Sequence, residues 1–130
     1  MGKARPQAVV LDAGALIAFE RGDARLRELV REALKVGARL VIPAGVLGQV
    51  WRGTARQAPI RALVKGPTTT VIALDQILAE AAGVLCGRAG TSDVIDASVV
   101  LIARQERAVA VTSDANDLRR LDPNLRIEPI

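Results

Sequence analysis

Five short runs of aliphatic and β-branched residues, Ala8–Leu11, Arg39–Ile42, Thr70–Ala73, Ala108–Val111 and Arg126–Glu128, are separated by segments with helical periodicity. This alternation constrains the chain more than any other feature. Antiparallel strands can be joined by tight turns, whereas parallel strands need long crossovers that are usually helical. The spacing therefore predicts an α/β fold with a central parallel sheet and helices on both faces. Helices are expected at about 14–20, 23–36, 44–52, 54–65, 75–88, 93–106 and 115–121, with ends good to about 2–4 residues. In the second of these, Leu26, Leu29, Val30, Ala33 and Leu34 recur at helical spacing, with Arg25, Arg27, Glu28, Arg31, Glu32 and Lys35 on the other side. Pro43 and Pro59 stand at expected helix starts, and Gly37, Gly66 and Gly90 at ends or turns. Residues 1–130 contain no repeat or linker and are read as one domain.

Four aspartates occupy the ends of these elements. Asp12 (AVVLDAG) and Asp114 (AVAVTSDAND) follow strand runs, and Asp93 and Asp96 (TSDVIDAS) open an apolar helix. Ligands of open α/β sheets gather outside the carboxyl ends of the strands, and clustered carboxylates repel one another unless a hard cation such as Mg²⁺ or Mn²⁺ neutralises them. A carboxylate metal site is the expectation, with phosphodiester hydrolysis as its chemistry. Each residue also has a plainer reading. Asp12 could simply cap the following helix, as Asp75 is expected to do for a later one. Ser92 or Thr91 could cap the helix after them, leaving Asp93 and Asp96 three residues apart on one face. Val94, Ile95, Val99, Val100, Leu101 and Ile102 make that helix apolar almost all round, and an unpaired carboxylate buried with it would be costly. Thr112 and Ser113 bring hydroxyls that could hold a water or a phosphate oxygen at such an ion, or serve only the turn. Asp117 reads more readily as part of a capping cluster than as an acid behind the ligands.

Composition removes the common alternatives. With no histidine, Ser-His-Asp, Cys-His and His-zinc mechanisms are excluded, and Cys86 is alone, in a context that suggests a small buried side chain. Eighteen basic residues, fifteen of them arginine, against fourteen acidic ones leave a formal charge of +4, which suits an anionic partner. Residues 33–74 contain no acid yet carry Lys35, Arg39, Arg52, Arg56, Arg61 and Lys65, a set able to bind phosphates or to form a solvated face. Phe19 and Trp51 are the only aromatics, too few for a base-stacking platform. The apolar stretch 8–19 is shorter than a membrane span and carries Asp12, and residues 1–6 do not read as a signal peptide, so a cytoplasmic location is expected.

The strings VVLDAGALIA, VIPAGVLGQVWRG, DVIDASVVLIARQERA and VTSDANDL, in that order over nearly the whole chain, resemble a PIN domain, specifically a VapC-type toxin of bacterial toxin–antitoxin pairs. The resemblance implies a parallel sheet with helices on both sides, an Mg²⁺- or Mn²⁺-dependent endoribonuclease site of acidic residues, a homodimer, and inhibition by a small antitoxin protein. RNA would be cut to leave a 5′-phosphate and a 3′-hydroxyl. Asp12 matches the family's first acid, Asp96 the acid of its DA-containing helix, Asp93 the acid one turn earlier, and Asp114 the acid after the late strand. At the middle helix, where the pattern usually has Glu, this chain has Gln49, which offers a carbonyl oxygen but neither a charge nor a base. Glu20, flanked by Arg21, is the nearest substitute acid but reads as a surface residue. Asp12, Asp96 and Asp114 are thus the expected catalytic residues, with Asp93 as a further metal ligand. Gln49, Thr112, Ser113 and Asp117 are expected close behind them, and Arg52 and Arg56 on the substrate backbone. Two rival readings are a catalytically weak or inactive PIN-fold module that binds nucleic acid or protein, and a receiver-like phosphoacceptor, for which a late-strand lysine is missing.

Overall fold

The computed structural model describes residues 7–130; the reading of residues 1–6 as free of a signal peptide lies outside them. Five strands form one all-parallel sheet: β1 (Ala8–Leu11), β2 (Arg39–Pro43), β3 (Thr69–Ile72), β4 (Val109–Thr112) and β5 (Ile127–Pro129), in the order β3-β2-β1-β4-β5. The expected parallel α/β architecture is present. A receiver-like order, 2-1-3-4-5, is not.

Seven helices cover the sheet among the described residues: α1 (Ala13–Glu20), α2 (Ala24–Lys35), α3 (Ala44–Val50), α4 (Ala58–Val64), α5 (Gln76–Ala89), α6 (Val94–Glu106) and α7 (Ala115–Leu121). The chain steps outward from β1 to β2 and β3, then returns to place β4 on the other side of β1. Right-handed crossovers running in opposite directions put their helices on opposite faces. Accordingly α1 packs against α2, α3 and α4, while α5, α6 and α7 pack on one another.

The helix expected at 54–65 is divided. Ala55–Gln57 makes a single 3₁₀ turn, and α4 begins only at Ala58, with Pro59 in its first turn. Proline has no N–H for an i→i−4 bond, so the tight turn ends there and a new helix starts where the missing donor costs nothing. Local chemistry fixes other ends, with the cap at Asp75 and the turn at Gly90 as anticipated. Asp23 and Asp75 accept from the Leu26 and Leu78 amides at 2.9 Å each, and Gly90 takes the left-handed conformation after α5.

The core is continuous across both faces of the sheet. All of β1 is buried, and Leu11, Leu40, Ile42, Leu16, Leu26, Ile60, Ile102 and Leu118 are fully so. Each such side chain contributes about 1.5–3 kcal/mol through burial. Along α6, Ala97–Val100, Ile102 and Ala103 are buried; the one polar side chain among them, Ser98, donates to Ile95 O at 2.6 Å, and charged groups are confined to the first turn and the last residues. At its far end Arg104 Nε donates to Asp122 Oδ2 at 2.8 Å, tying α6 to the end of α7. Cys86 is buried, and among the described residues no helix is long and apolar enough to cross a membrane.

Candidate active site

The strand order reverses between β1 and β4, so the crevice outside their carboxyl ends is the switch point at which α/β sheets bind ligands. Asp12 leaves β1 directly into this crevice. Its amide donates to Val111 O of β4 at 3.2 Å, and its carboxylate accepts from the Ala15 amide at 2.8 Å as the N-cap of α1. Capping and site placement thus coexist in one buried residue. Burial pushes its pKa above the usual aspartate value and the charge of Asp114 adds to this, while bonds from Thr112, Ala15 and Ser113 oppose it.

Asp114 stands at the N-cap position of α7, but its side chain makes no capping bond. Its amide donates to Thr112 Oγ1 at 2.8 Å, which turns the chain sharply and leaves the carboxylate exposed. Thr112 is fully buried, so its hydroxyl cannot face a solvent-filled site; it supports Asp12 and Asp114 from behind. Ser113 is exposed and lies against α1. A Cβ added at Gly14 would stand 2.8 Å from Ser113 Cβ, closer than such atoms approach. Gly14→Ala is therefore expected to push the β4–α7 loop off α1 and to cost about 1–3 kcal/mol in urea unfolding. Gly48→Ala, with nothing within 4 Å, is expected to gain up to about 1 kcal/mol.

Helix α6 delivers the second half of the site. Its N-cap is Asp93, not Ser92 or Thr91: Asp93 Oδ1 accepts from the Asp96 amide at 2.9 Å, and Thr91 Oγ1 accepts from the Asp93 amide at 3.3 Å. A carboxylate competes well for this position because it also meets the positive end of the helix dipole. Asp93 thus stands at the cap rather than inside the helix, binding the Asp96 amide, and the two carboxyl groups still adjoin in one cleft. Asp96, half-buried in the first turn, is pushed up to about 7, chiefly by burial, then by Asp93, with the charges of Asp117 and Asp12 adding. Asp117 does not cap α7. It lines a cleft of about 140 Å³ with Thr91, Asp93, Asp96 and Arg120. Arg120 was not legible as a site residue, since an Arg-Arg pair in the last turn of a helix looks like any solvated face.

Asp12 is the acid common to both halves, interacting with Asp114 on one side and Asp96 on the other. The donor set is entirely oxygen, which suits Mg²⁺ or Mn²⁺. Among the described residues no three acidic or thiol side chains converge tightly enough to enclose an ion directly. The arrangement fits a hydrated ion held through one or two carboxylates, as Mg²⁺ is commonly bound. Asp12, Asp96 and Asp114 could hold it, with Asp93 and Asp117 adjoining.

Gln49 is exposed near the end of α3 and lines a separate groove of about 670 Å³ with Glu20, Arg21, Arg52, Arg56 and Gln57. Glu20 cannot substitute for a missing acid beside Asp12, because it ends α1 while Asp12 begins it, about 12 Å away along the axis. The basic stretch is divided by the fold: Arg39 pairs with Glu106 at 2.8 Å and Arg61 stacks on Trp51 at 4.4 Å, whereas Arg52 and Arg56 face the groove.

An open, doubly wound α/β protein with acidic residues at its switch point is the class these features define. The PIN domain family model matches residues 9–123. The chain belongs to the PIN domain family. The fold is similar to VapBC2 from Rickettsia felis bound to a DNA fragment from its promoter, with a TM-score of 0.72 and 16% identity over 95% of this chain and 98% of that one. It is also similar to FitAB bound to the IR36 DNA fragment, with a TM-score of 0.64 and 11% identity over 93% and 94% of the two chains. No curated protein matches by sequence.

Proposed function

We propose that this protein is a VapC-type toxin, a cytoplasmic endoribonuclease that uses Mg²⁺ or Mn²⁺ to hydrolyse RNA phosphodiesters and is held inactive by a cognate antitoxin. The observation that carries this reading is the meeting of Asp12, Asp96 and Asp114 at the β1/β4 switch point, where burial and mutual repulsion raise Asp12 and Asp96 above ordinary aspartates. Such a cluster stores repulsion that a cation relieves. When bound, the ion supplies charge that acidifies the attacking water and stabilises the phosphoryl oxygens.

In this reading Asp12, Asp96 and Asp114 would hold the hydrated ion and orient the attacking water, with Asp93 as a further ligand. Thr112 fixes the loop that carries Asp114. In-line attack needs positioning more than covalent chemistry, and a 5′-phosphate and a 3′-hydroxyl are the expected ends. Gln49 lines the separate groove and carries no charge, so the ion would be held without an acid from α3. Likeness to VapBC2 and FitAB supports an antitoxin partner, and a homodimer is part of the same reading. A non-catalytic PIN-fold binding module is the second reading, and the neutral Gln49 is the observation that favours it.

The test is to incubate the full chain, freed of any copurifying partner, with a pool of structured RNAs, with Mn²⁺ or with chelator. Cuts at fixed positions that need the metal and leave 5′-phosphate ends are expected. No cutting by well-folded protein in Mg²⁺ or Mn²⁺ would favour the binding module.

A further inference from the structure

The groove beside α1 contains a carboxylate and three guanidinium groups that do not pair. Glu20 lines it together with Arg21, Arg52 and Arg56. Among the described residues none of these arginines has a carboxylate within 4.0 Å; the ion pairs are Arg25–Glu128, Arg31–Glu28, Arg39–Glu106 and Arg104–Asp122. Arginine forks match carboxylates in charge and geometry where the two meet. Here a neutral amide holds the acid instead: Gln57 Nε2 donates to Glu20 Oε1 at 2.7 Å.

Gln57 is buried, and all of its bonding capacity is used. Nε2 also donates to Val50 O at 2.8 Å, and Oε1 accepts from the Arg52 amide at 2.7 Å and the Gly53 amide at 3.2 Å. One side chain thus joins the end of α1, the end of α3 and the turn at Gly53, whose φ of +72° suits glycine. Arg52 is anchored through Nη1, which donates to Trp51 O at 2.7 Å and Gly48 O at 3.4 Å. Its other guanidinium nitrogens have no protein partner among the described residues. The result is three cations, one of them fixed to the backbone, beside an acid that a neutral amide engages. That arrangement disfavours internal neutralisation and leaves the groove to an external polyanion.

We propose that this groove seats the phosphodiester backbone of single-stranded RNA through Arg21, Arg52 and Arg56, and that Gln57 is the positioning residue that keeps Glu20 off those arginines and presents Arg52. The identity of the polyanion rests on the ribonuclease reading; the open arginines do not. A backbone grip needs no aromatic platform, in keeping with a chain that has only Phe19 and Trp51.

Binding of a short fluorescent single-stranded RNA to the full chain carrying Asp96→Asn, in chelator and over a range of salt, tests this apart from catalysis. Arg52→Ala and Arg56→Ala are each expected to lower the slope of log affinity against log salt by about 0.7, the value for one lost contact to a single strand. Gln57→Glu sets two carboxylates against each other and should weaken binding about tenfold. Adding Glu20→Gln exchanges amide and acid and should restore binding to within about threefold. An unchanged slope in both arginine variants, with thermal midpoints kept, overturns the groove assignment. A Gln57→Glu defect that Glu20→Gln fails to relieve overturns the positioning role. Arginine-dependent binding without Mn²⁺-dependent cleavage in the unmodified chain would leave the groove standing and remove the ribonuclease reading; cleavage without arginine-dependent binding would do the reverse.

Discussion

Asp96→Asn is expected to lower the single-turnover rate of metal-dependent RNA cleavage by at least about 10³-fold, equivalent to about 4 kcal/mol in the barrier. The substitution keeps the size and one carbonyl oxygen, so packing of the first turn of α6 should survive. What it removes is charge at the point where Asp93, Asp117 and Asp12 all act on one carboxyl group. In the proposed mechanism that charge holds the ion and balances the water that attacks, and an amide can do neither. Asp75→Asn is the matching control: Asp75 caps α5, away from the cleft, and asparagine caps about equally well. It should cleave like the parent. Parental cleavage by Asp96→Asn, measured over a Mn²⁺ series, would remove Asp96 from the chemistry.

Without divalent cation, the protein should become less stable as pH rises from about 4 to about 8. The sign follows from Asp96. Its carboxyl has an ordinary value of 3.8 and is pushed up to about 7 in the folded protein. Below pH 4 it is protonated in both states and contributes nothing. Between those values the folded state binds more protons than the unfolded state, so unfolding free energy falls with rising pH, and above about pH 7 the whole penalty is present. The ceiling is about 4 kcal/mol, and water screening in a half-buried cleft reduces it to the order of 1–2 kcal/mol. Asp12, raised mainly by burial, acts in the same direction. Urea unfolding in chelator at several pH values should show the decline, and Asp96→Asn should remove most of it. Mn²⁺ should also flatten the profile, because a cation favours the ionised carboxyls. Stability that rises over this range would contradict the description of the cleft.

Much of the site was visible before the fold because its cues are local. A strand run that ends in aspartate, as at Leu11–Asp12 and Thr112–Asp114, marks the carboxyl edge of a parallel sheet whatever the strand order. The cap of α6 was less legible, since Thr91, Ser92 and Asp93 can all accept a first-turn amide and only geometry decides among them. Asp117 looked like part of a cap for the same reason; the rotation of α7 turned it into the cleft instead. Thr112 looked available to a ligand, and the burial of β4 closed it off.

The sequence by itself determined the alternation of strands and helices, the cap of α5 by Asp75 and the acids at element ends, because each depends on residues a few positions apart. Which acids act on one another depended on strand order: β4 returning beside β1 joined Asp12 to Asp114, and α6 brought Asp96 to the same edge. Gln57 shows the limit most plainly. Its four bonds reach Glu20, Val50, Arg52 and Gly53, and no periodicity or propensity encodes a partner 37 positions away. Nor could composition separate Arg39 and Arg61, which a carboxylate and a ring occupy, from Arg52 and Arg56, which line the groove with no carboxylate partner among the described residues, because that difference exists only once helices from distant parts of the chain are packed together.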